Sequence, residues 1–305
     1  MAGAGGLAGS AISRALRRHS FTRLIEPRSS ELDLLDRSAV TTFLHRTRPD
    51  AIVLAAARVG GIAANDAAPA DFLSDNLRMQ LNVMDAAREV GVRRLLFLGS
   101  SCAYPRDAAQ PMRESALLSG PLEPTNDGYA IAKIAGVLQV QAVRRQDGRA
   151  WISAMPTNLY GPGDNFHARD SHVLPALVRR FHEAVAGGAD TVALWGTGTP
   201  RREFLHADDL GEACVHLLRH YDAPEAINVG TGVETTIREL AELVAAVAGF
   251  RGDLAFDPTM PDGAPRKVLD VGLLHDLGWR ARIPLERGVA ETYRWFAEHR
   301  EVARR

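Results

Sequence analysis

Two short, continuously apolar runs bracket one long amphipathic stretch, and that succession constrains the fold more than any other feature of the chain. Residues 51–57 (AIVLAAA) and 94–100 (RLLFLGS) lack polar alternation and end in small residues, which is how strands buried on both faces read. Between them, Leu73, Leu77, Leu81, Met84 and Ala87 recur at helical spacing within residues 72–90, predicting a helix with one apolar stripe. Strand, helix and strand in this order form a βαβ unit and predict an α/β fold built on a Rossmann-type, doubly wound parallel sheet.

After Met155 the texture changes. Pro156, Gly161, Pro162 and Gly163 break the periodicity, and residues 187–200 are rich in Gly and Thr, so a second, smaller α/β domain is expected from about here. The division predicted is 1–160 for a dinucleotide-binding domain and 161–305 for a substrate domain, with a segment near 205–230 returning to the first. Residues 172–186 and 236–247 read as the second part's clearest helices. With 305 residues, the chain is long enough for such a pair sharing a cleft.

The formal charge of −1 offers no global field for nucleic acid or an anionic membrane, so an anionic ligand has to be held by local basic groups. Two cysteines, Cys102 and Cys214, are too few for a disulfide framework and suit a reducing, cytoplasmic compartment. No apolar run approaches the ~18 residues of a spanning helix. No metal-ligand spacing stands out, and no metal is expected.

Gly3, Gly6 and Gly9 in MAGAGGLAGSAISRAL fit a glycine turn opening a helix, where close backbone approach and the helix N-terminus hold a pyrophosphate. Leu7 lies inside that turn. The turn is expected to follow a buried strand of about five or six residues, yet only Met1 and Ala2 precede Gly3. The first strand is therefore expected to be missing, with a natural start about seven or eight residues upstream. Downstream, residues 24–36 (LIEPRSSELDLLD) belong where a carboxylate selects NAD and an arginine accommodates the 2′-phosphate of NADP. Arg28 favours NADP, while Glu26 leaves NAD open.

Tyr129 and Lys133 stand four apart, hence on one face of a helix. A lysine there can lower the phenol's pKa and let it exchange a proton with a substrate oxygen. Ser100, Ser101 and Cys102 follow the buried run ending at Leu98, the place where doubly wound sheets put their ligands. Cys102 and His172 are residue types that titrate near neutrality when tuned, although residue type alone favours a buried small thiol and a helix-start or surface histidine. Arg179, Arg180, Arg201 and Arg202 offer guanidinium forks for a diphosphate.

Several longer segments carry a more specific signal: 57–62 (ARVGGI), 97–105 (FLGSSCAYP), 129–136 (YAIAKIAG), 155–162 (MPTNLYGP), 171–176 (SHVLPA) and 195–206 (WGTGTPRREFLH). Through them nearly the whole chain resembles the extended short-chain dehydrogenases and, among these, the GDP-L-fucose synthases. The resemblance implies NADPH-dependent 4-reduction joined to 3,5-epimerisation of GDP-4-keto-6-deoxy-D-mannose. It implies a reducing triad of Ser100, Tyr129 and Lys133, with Cys102 and His172 as the epimerising acid and base. It places the cofactor against Gly3, Gly6, Leu7, Gly9, Arg28, Ser100, Ser101, Lys133, Asn158, Leu159 and His172. It puts the GDP-sugar against Arg180, Trp195, Arg202 and Asp262, where Asp262 accepts hydroxyl bonds, and it implies a homodimer through the Tyr129 helix and the helix of residues 72–90.

The chain departs from the family pattern in two further places. Ala4-Gly5 replaces a His-Arg pair, removing one phosphate contact, and Asp127-Gly128 replaces Glu-Pro, which is expected to loosen the approach to Tyr129. Two other readings stay open at this stage: an NAD-retaining nucleotide-sugar 4-epimerase, and a catalytically silent dinucleotide-binding protein.

Overall fold

The computed structural model describes residues 1–303 apart from Thr22, Arg169, Asp170 and Pro261. Helix α1 (Leu7–Arg18) follows the glycine turn, and α2 (Arg37–Thr47) starts on Asp36, whose carboxylate accepts from the Ala39 N–H at 3.0 Å. Strand β1 (Ala51–Leu54) leads through the short α3 (Ile62–Ala67) into α4 (Pro69–Glu89), whose proline at the first helical position needs no N–H partner there. Strand β2 (Arg94–Leu98), α5 (Asp127–Asp147) and β3 (Ala150–Pro156) continue the pattern.

A second set follows: β4 (Asn158–Tyr160), α6 (Val173–Gly187), β5 (Thr191–Trp195), β6 (Arg201–His206) and α7 (Ala207–His220). Then come β7 (Ile227–Val229), β8 (Glu234–Thr236), α8 (Ile237–Ala248), β9 (Asp253–Asp257), β10 (Arg266–Lys267), α9 (Gly272–Asp276) and α10 (Leu285–Glu298).

The main sheet has the parallel order β1-β2-β3-β7, and Ala2 adds an isolated parallel bridge to Leu54. Alternate residues of each strand serve opposite cores, because side chains alternate across a pleat. Ile52, Leu54, Leu95, Phe97 and Trp151 pack with Val40, Leu44, Met84 and Val137 from α2, α4 and α5. Val53, Leu96, Leu98 and Ile152 pack instead with Ile12 and Leu16 of α1 and with Leu210 and Cys214 of α7. Thus α7 and β7, though distant in sequence, complete the same layers as α1 and β3.

A third core gathers Tyr160, Phe166, Leu177, Phe181, Leu194, Val244, Val289 and Phe296 around α6, α8 and α10. It is edged by two small sheets, β10-β6-β4 with β8 antiparallel on β6, and the parallel pair β5-β9.

The expected stripe on α4 is corrected in part. Met84 and Ala87 are buried, but Leu81 is 43% exposed, and the positions turned inward include Asn76 and Gln80. These polar groups are buried because they bond backbone: Gln80 donates to the Ala132 carbonyl of α5 at 2.8 Å, and Asn76 donates to the Arg58 carbonyl at 3.0 Å. Leu81 is thereby left outward, while Leu73 and Leu77 are half-buried.

Candidate active site

The glycine turn closes against the end of β1. Gly3 has φ +87°, and a Cβ there would stand 2.6 Å from the Ala56 nitrogen, so only glycine fits both the conformation and the approach. A Cβ on Gly9 would meet the Gly3 carbonyl oxygen at 1.9 Å, which draws α1 onto the turn. Gly6 caps α1 without a side chain, and no acidic residue occupies the first helical turn. Free N–H groups and the positive end of the helix dipole are thus left for an anion, as a dinucleotide pyrophosphate requires.

At the second recognition point, Glu26 is paired with Arg17 through one oxygen, while its other oxygen is buried without a hydrogen-bond partner. The Arg28 backbone N–H donates to Glu31 at 2.8 Å, while its exposed guanidinium has no ion-pair partner among the described residues. This fits a 2′-phosphate.

Past β2 the chain turns through Ser100, which caps a single turn of 3-10 helix over Ser101–Ala103; the Cys102 N–H donates to the Ser100 hydroxyl oxygen at 3.2 Å. Opposite, α5 presents Tyr129 and Lys133. The Lys133 ammonium donates to the Leu98 carbonyl at 2.7 Å and stands 5.7 Å from the Tyr129 ring centre. The Ser100 hydroxyl is near enough to the Tyr129 phenol to lower its pKa, so serine and lysine both lie beside the tyrosine.

The expectation that Lys133 lowers the phenol's pKa is corrected. Burial raises the Tyr129 pKa most, Cys102 raises it further, and the Ser100 hydroxyl opposes both. Lys133 is itself only 3% exposed, and burial lowers its pKa to about 7. It therefore carries a fractional charge near neutrality, a weak lever on its neighbour. Tyr129 consequently holds its proton at neutral pH, which is the form a proton donor needs.

Cys102 is close enough to Arg202 to raise its pKa, as Asp262 also does, although burial is the larger effect and lowers it. Cys102 thus lies within electrostatic reach of both Tyr129 and Arg202. His172 caps the start of α6 and comes from the third core. It makes no side-chain cap bond and is exposed, and desolvation lowers its pKa. The two expected epimerising groups thus arrive from different layers of the molecule.

The remaining positions divide. Asn158 donates from its side chain to the Glu203 carbonyl at 2.8 Å, fastening β4 to β6, and Leu159 packs into the second core. Trp195 is 66% exposed, a bare aromatic face at the end of β5. Arg180 lies on the surface and donates to the Ala193 carbonyl at 2.7 Å. Asp262 is exposed and accepts from the Thr197 N–H and hydroxyl at 2.7 Å each, one bond to each carboxylate oxygen, which leaves further lone pairs for a ligand hydroxyl. It braces the loop after Trp195 and faces Arg202. Before Tyr129, a Cβ on Gly128 would sit 2.8 Å from the Pro69 carbonyl oxygen, so glycine lets α5 close onto α4.

Three residues that shape the cleft had gone unnoticed in the sequence. Asn65 donates to the Gly60 and Gly61 carbonyls at 2.8 and 3.0 Å, and Asn76 accepts from the Arg58 N–H at 2.8 Å, so together they fix the loop of residues 57–61. Glu203, fully buried, accepts from the N–H groups of Thr231, Gly232 and Leu269 at 2.6, 2.8 and 2.8 Å. Glu203 follows two arginines in β6 (RREFLH), so its burial had no signal in the sequence.

Residues 1–230 match the NAD dependent epimerase/dehydratase family. The chain is 55% identical over 299 residues to GDP-L-fucose synthase 1 of Arabidopsis thaliana, an overlap covering 98% of this chain and 93% of the relative. It is 53% identical over 310 residues to the GDP-L-fucose synthase of Escherichia coli (strain K12), covering 99% and 97%. The crystal structure of a GDP-L-fucose synthetase from Naegleria fowleri bound to NADP superposes with a TM-score of 0.92 at 27% identity, covering 100% of this chain and 95% of the other. The glycine turn, the Ser100–Tyr129–Lys133 group and these full-length matches agree: the chain belongs to the NAD dependent epimerase/dehydratase family and, within it, to the GDP-L-fucose synthases.

Proposed function

We infer that the chain converts GDP-4-keto-6-deoxy-D-mannose to GDP-L-fucose by 3,5-epimerisation and NADPH-dependent 4-reduction. The observation that carries this reading is the grouping of Ser100, Cys102 and Lys133 beside Tyr129, in a chain more than half identical to relatives of that name. Against the NAD-retaining 4-epimerase reading stands Arg28, whose exposed guanidinium has no ion-pair partner among the described residues and suits a 2′-phosphate.

When bound, NADPH supplies the hydride that reduces C4. Tyr129 gives its proton to the C4 oxygen; Ser100 holds that oxygen by a hydrogen bond, and Lys133, anchored on Leu98, keeps the phenol's approach fixed. Before reduction, the C4 ketone acidifies the C–H bonds at C3 and C5. A base removes a proton from one face and an acid returns one to the other. His172, kept neutral by desolvation, suits the base, and Cys102 suits the acid. Arg202 and Arg180 serve the diphosphate, Trp195 covers an apolar face of the sugar or base, and Asp262 positions the loop that carries Trp195. Gly3, Gly6, Leu7, Gly9 and Arg28 hold the cofactor, with Ser101, Asn158 and Leu159 lining its nicotinamide end.

The division at about residue 160, with 205–230 returning to the first domain, is supported by the cores that α7 and α6 join. A homodimer through α4 and α5 is supported by the outward Leu81, Ile131 and Leu138, 43%, 44% and 42% exposed. Cytoplasmic residence is supported by two free cysteines; separately, no helix among the described residues is long and apolar enough to cross a membrane.

Proton exchange and hydride transfer are separable in D₂O. With the 4-keto-6-deoxy sugar nucleotide, Cys102→Ser blocks deuterium entry at C3 and C5. Tyr129→Phe leaves exchange running and stops NADPH oxidation. Unchanged exchange in the cysteine variant removes Cys102 from the mechanism.

A further inference from the structure

On the outer side of α1 and α7, away from the cleft, lies a cavity of about 190 Å³ lined by His19, Glu212, His216, Arg219, Arg280 and Arg282, with Asp209, Val215, His220 and Trp279. Its polar groups are unbalanced. The two carboxylates are already committed: Asp209 accepts from the N–H groups of Arg282 and Ile283 at 3.0 and 2.8 Å, and Glu212 is bonded by Arg18 at 2.8 Å and His19 at 2.7 Å. The arginines are not. Arg219 donates to the His19 carbonyl at 3.0 Å and Arg280 meets His275 at 2.9 Å, neither facing a carboxylate, and the Arg282 guanidinium has no partner among the described residues.

Helix ends explain part of this. Arg219 sits in the last turn of α7 and bonds the end of α1, where cations are favoured. Arg280 and Arg282 come from the loop after α9 and have no such duty. The histidines do not make a metal site, since no group of three suitable side chains converges among the described residues. His216 meets the Leu277 carbonyl at 2.8 Å through Nε2, and His220 packs beside it at 4.6 Å between ring centres. What the cavity offers a visitor is donors without acceptors, which is the inventory an acceptor-rich anion satisfies.

We propose that this cavity is a second, non-catalytic anion site that binds a small phosphoryl compound, held by Arg280 and Arg282 against Arg219. Guanidinium forks match phosphoryl oxygens bidentately, and the apolar floor of Val215 and Trp279, 2% and 8% exposed, excludes water from one side. Occupancy ties the end of α1, the helix that begins at the glycine turn, to α7 and the loop of residues 279–282.

The test titrates inorganic pyrophosphate, and separately inorganic phosphate and citrate, into the protein saturated with NADP⁺ and GDP so that the cleft is filled. Calorimetry is expected to show one further pyrophosphate per chain, weakened about a hundredfold in Arg280→Gln/Arg282→Gln at about tenfold per lost charge-assisted contact, with turnover of the sugar nucleotide unchanged. Equal binding of citrate overturns the phosphoryl preference. Absence of binding, or equal affinity in the double variant, overturns the site. If the double variant does not fold, the His216 and His220 ring resonances of the unaltered protein decide: they shift on pyrophosphate addition, or the proposal fails.

Discussion

Replacing Lys133 by methionine is expected to stabilise the protein in mild acid and to lose that advantage in mild base. Burial lowers the Lys133 pKa from an ordinary 10.5 to about 7. Below the folded-state value the ammonium is carried in both states, and the folded protein bears the whole desolvation penalty, about 5 kcal/mol at roughly 1.4 kcal/mol per tenfold change in proton affinity. As pH rises above 7 the folded state releases its proton while the unfolded chain keeps one, so stability increases with pH and the penalty fades toward 10.5. At pH 9 about 2 kcal/mol remains. Methionine removes the penalty but leaves the Leu98 carbonyl without its 2.7 Å partner, a loss of about 1–3 kcal/mol. The variant is therefore expected to gain about 2–4 kcal/mol at pH 6 and to be nearly neutral at pH 9. Urea unfolding of both proteins at the two pH values, without added nucleotide, measures the difference directly. A stability change that is the same at pH 6 and pH 9, or a loss at pH 6, would refute the reasoning.

Three further outcomes follow from the geometry. Gly136→Ala places a Cβ 2.3 Å from the Phe97 ring, so α5 has to shift; a loss of about 1–3 kcal/mol in chemical denaturation is expected, together with slower reduction, because the same helix carries Tyr129. Arg28→Ala raises KM for NADPH about tenfold or more, by loss of a charge-assisted phosphate contact, and leaves KM for NADH unchanged; equal effects on both cofactors would place Arg28 elsewhere. Desolvation moves His172 below its ordinary 6.5, so the base is more than half neutral at pH 6.5 and the acid limb of deuterium exchange lies at lower pH than that. An acid limb above 6.5 that persists in His172→Gln would show that another group is the base.

Legibility in the sequence followed burial. The runs at 51–57 and 94–100 contain β1 and β2 because both faces of those strands are covered, leaving an uninterrupted apolar signal. The glycine turn was legible because Gly3 and Gly9 meet backbone that no other residue could approach. Helices α6 and α8 were placed to within a residue or so by their apolar periodicity. In contrast, β5 and β9 alternate exposed and covered positions over five residues each, and β4 and β8 are only three residues long, too short for a period to register. The stripe on α4 misled because Asn76 and Gln80 are buried for the backbone bonds they make, which depend on a loop and a helix far away in the chain. Tyr129 and Lys133 were legible as a helical pair, but the direction of their pKa shifts was not, since desolvation is a property of the assembled cleft. Cys102 and His172 were named through family resemblance, because one follows β2 and the other opens α6 with no sequence pattern linking them.

The central claim, that one cleft performs both epimerisation and reduction, is tested most directly by incubating the protein with GDP-4-keto-6-deoxy-D-mannose and NADPH in D₂O and examining the sugar product by NMR alongside NADPH absorbance. The account predicts GDP-L-fucose carrying deuterium at C3 and C5, with one NADPH oxidised per product. A 4-reduced sugar without deuterium at those carbons, or deuterium exchange with no oxidation of NADPH, would contradict it.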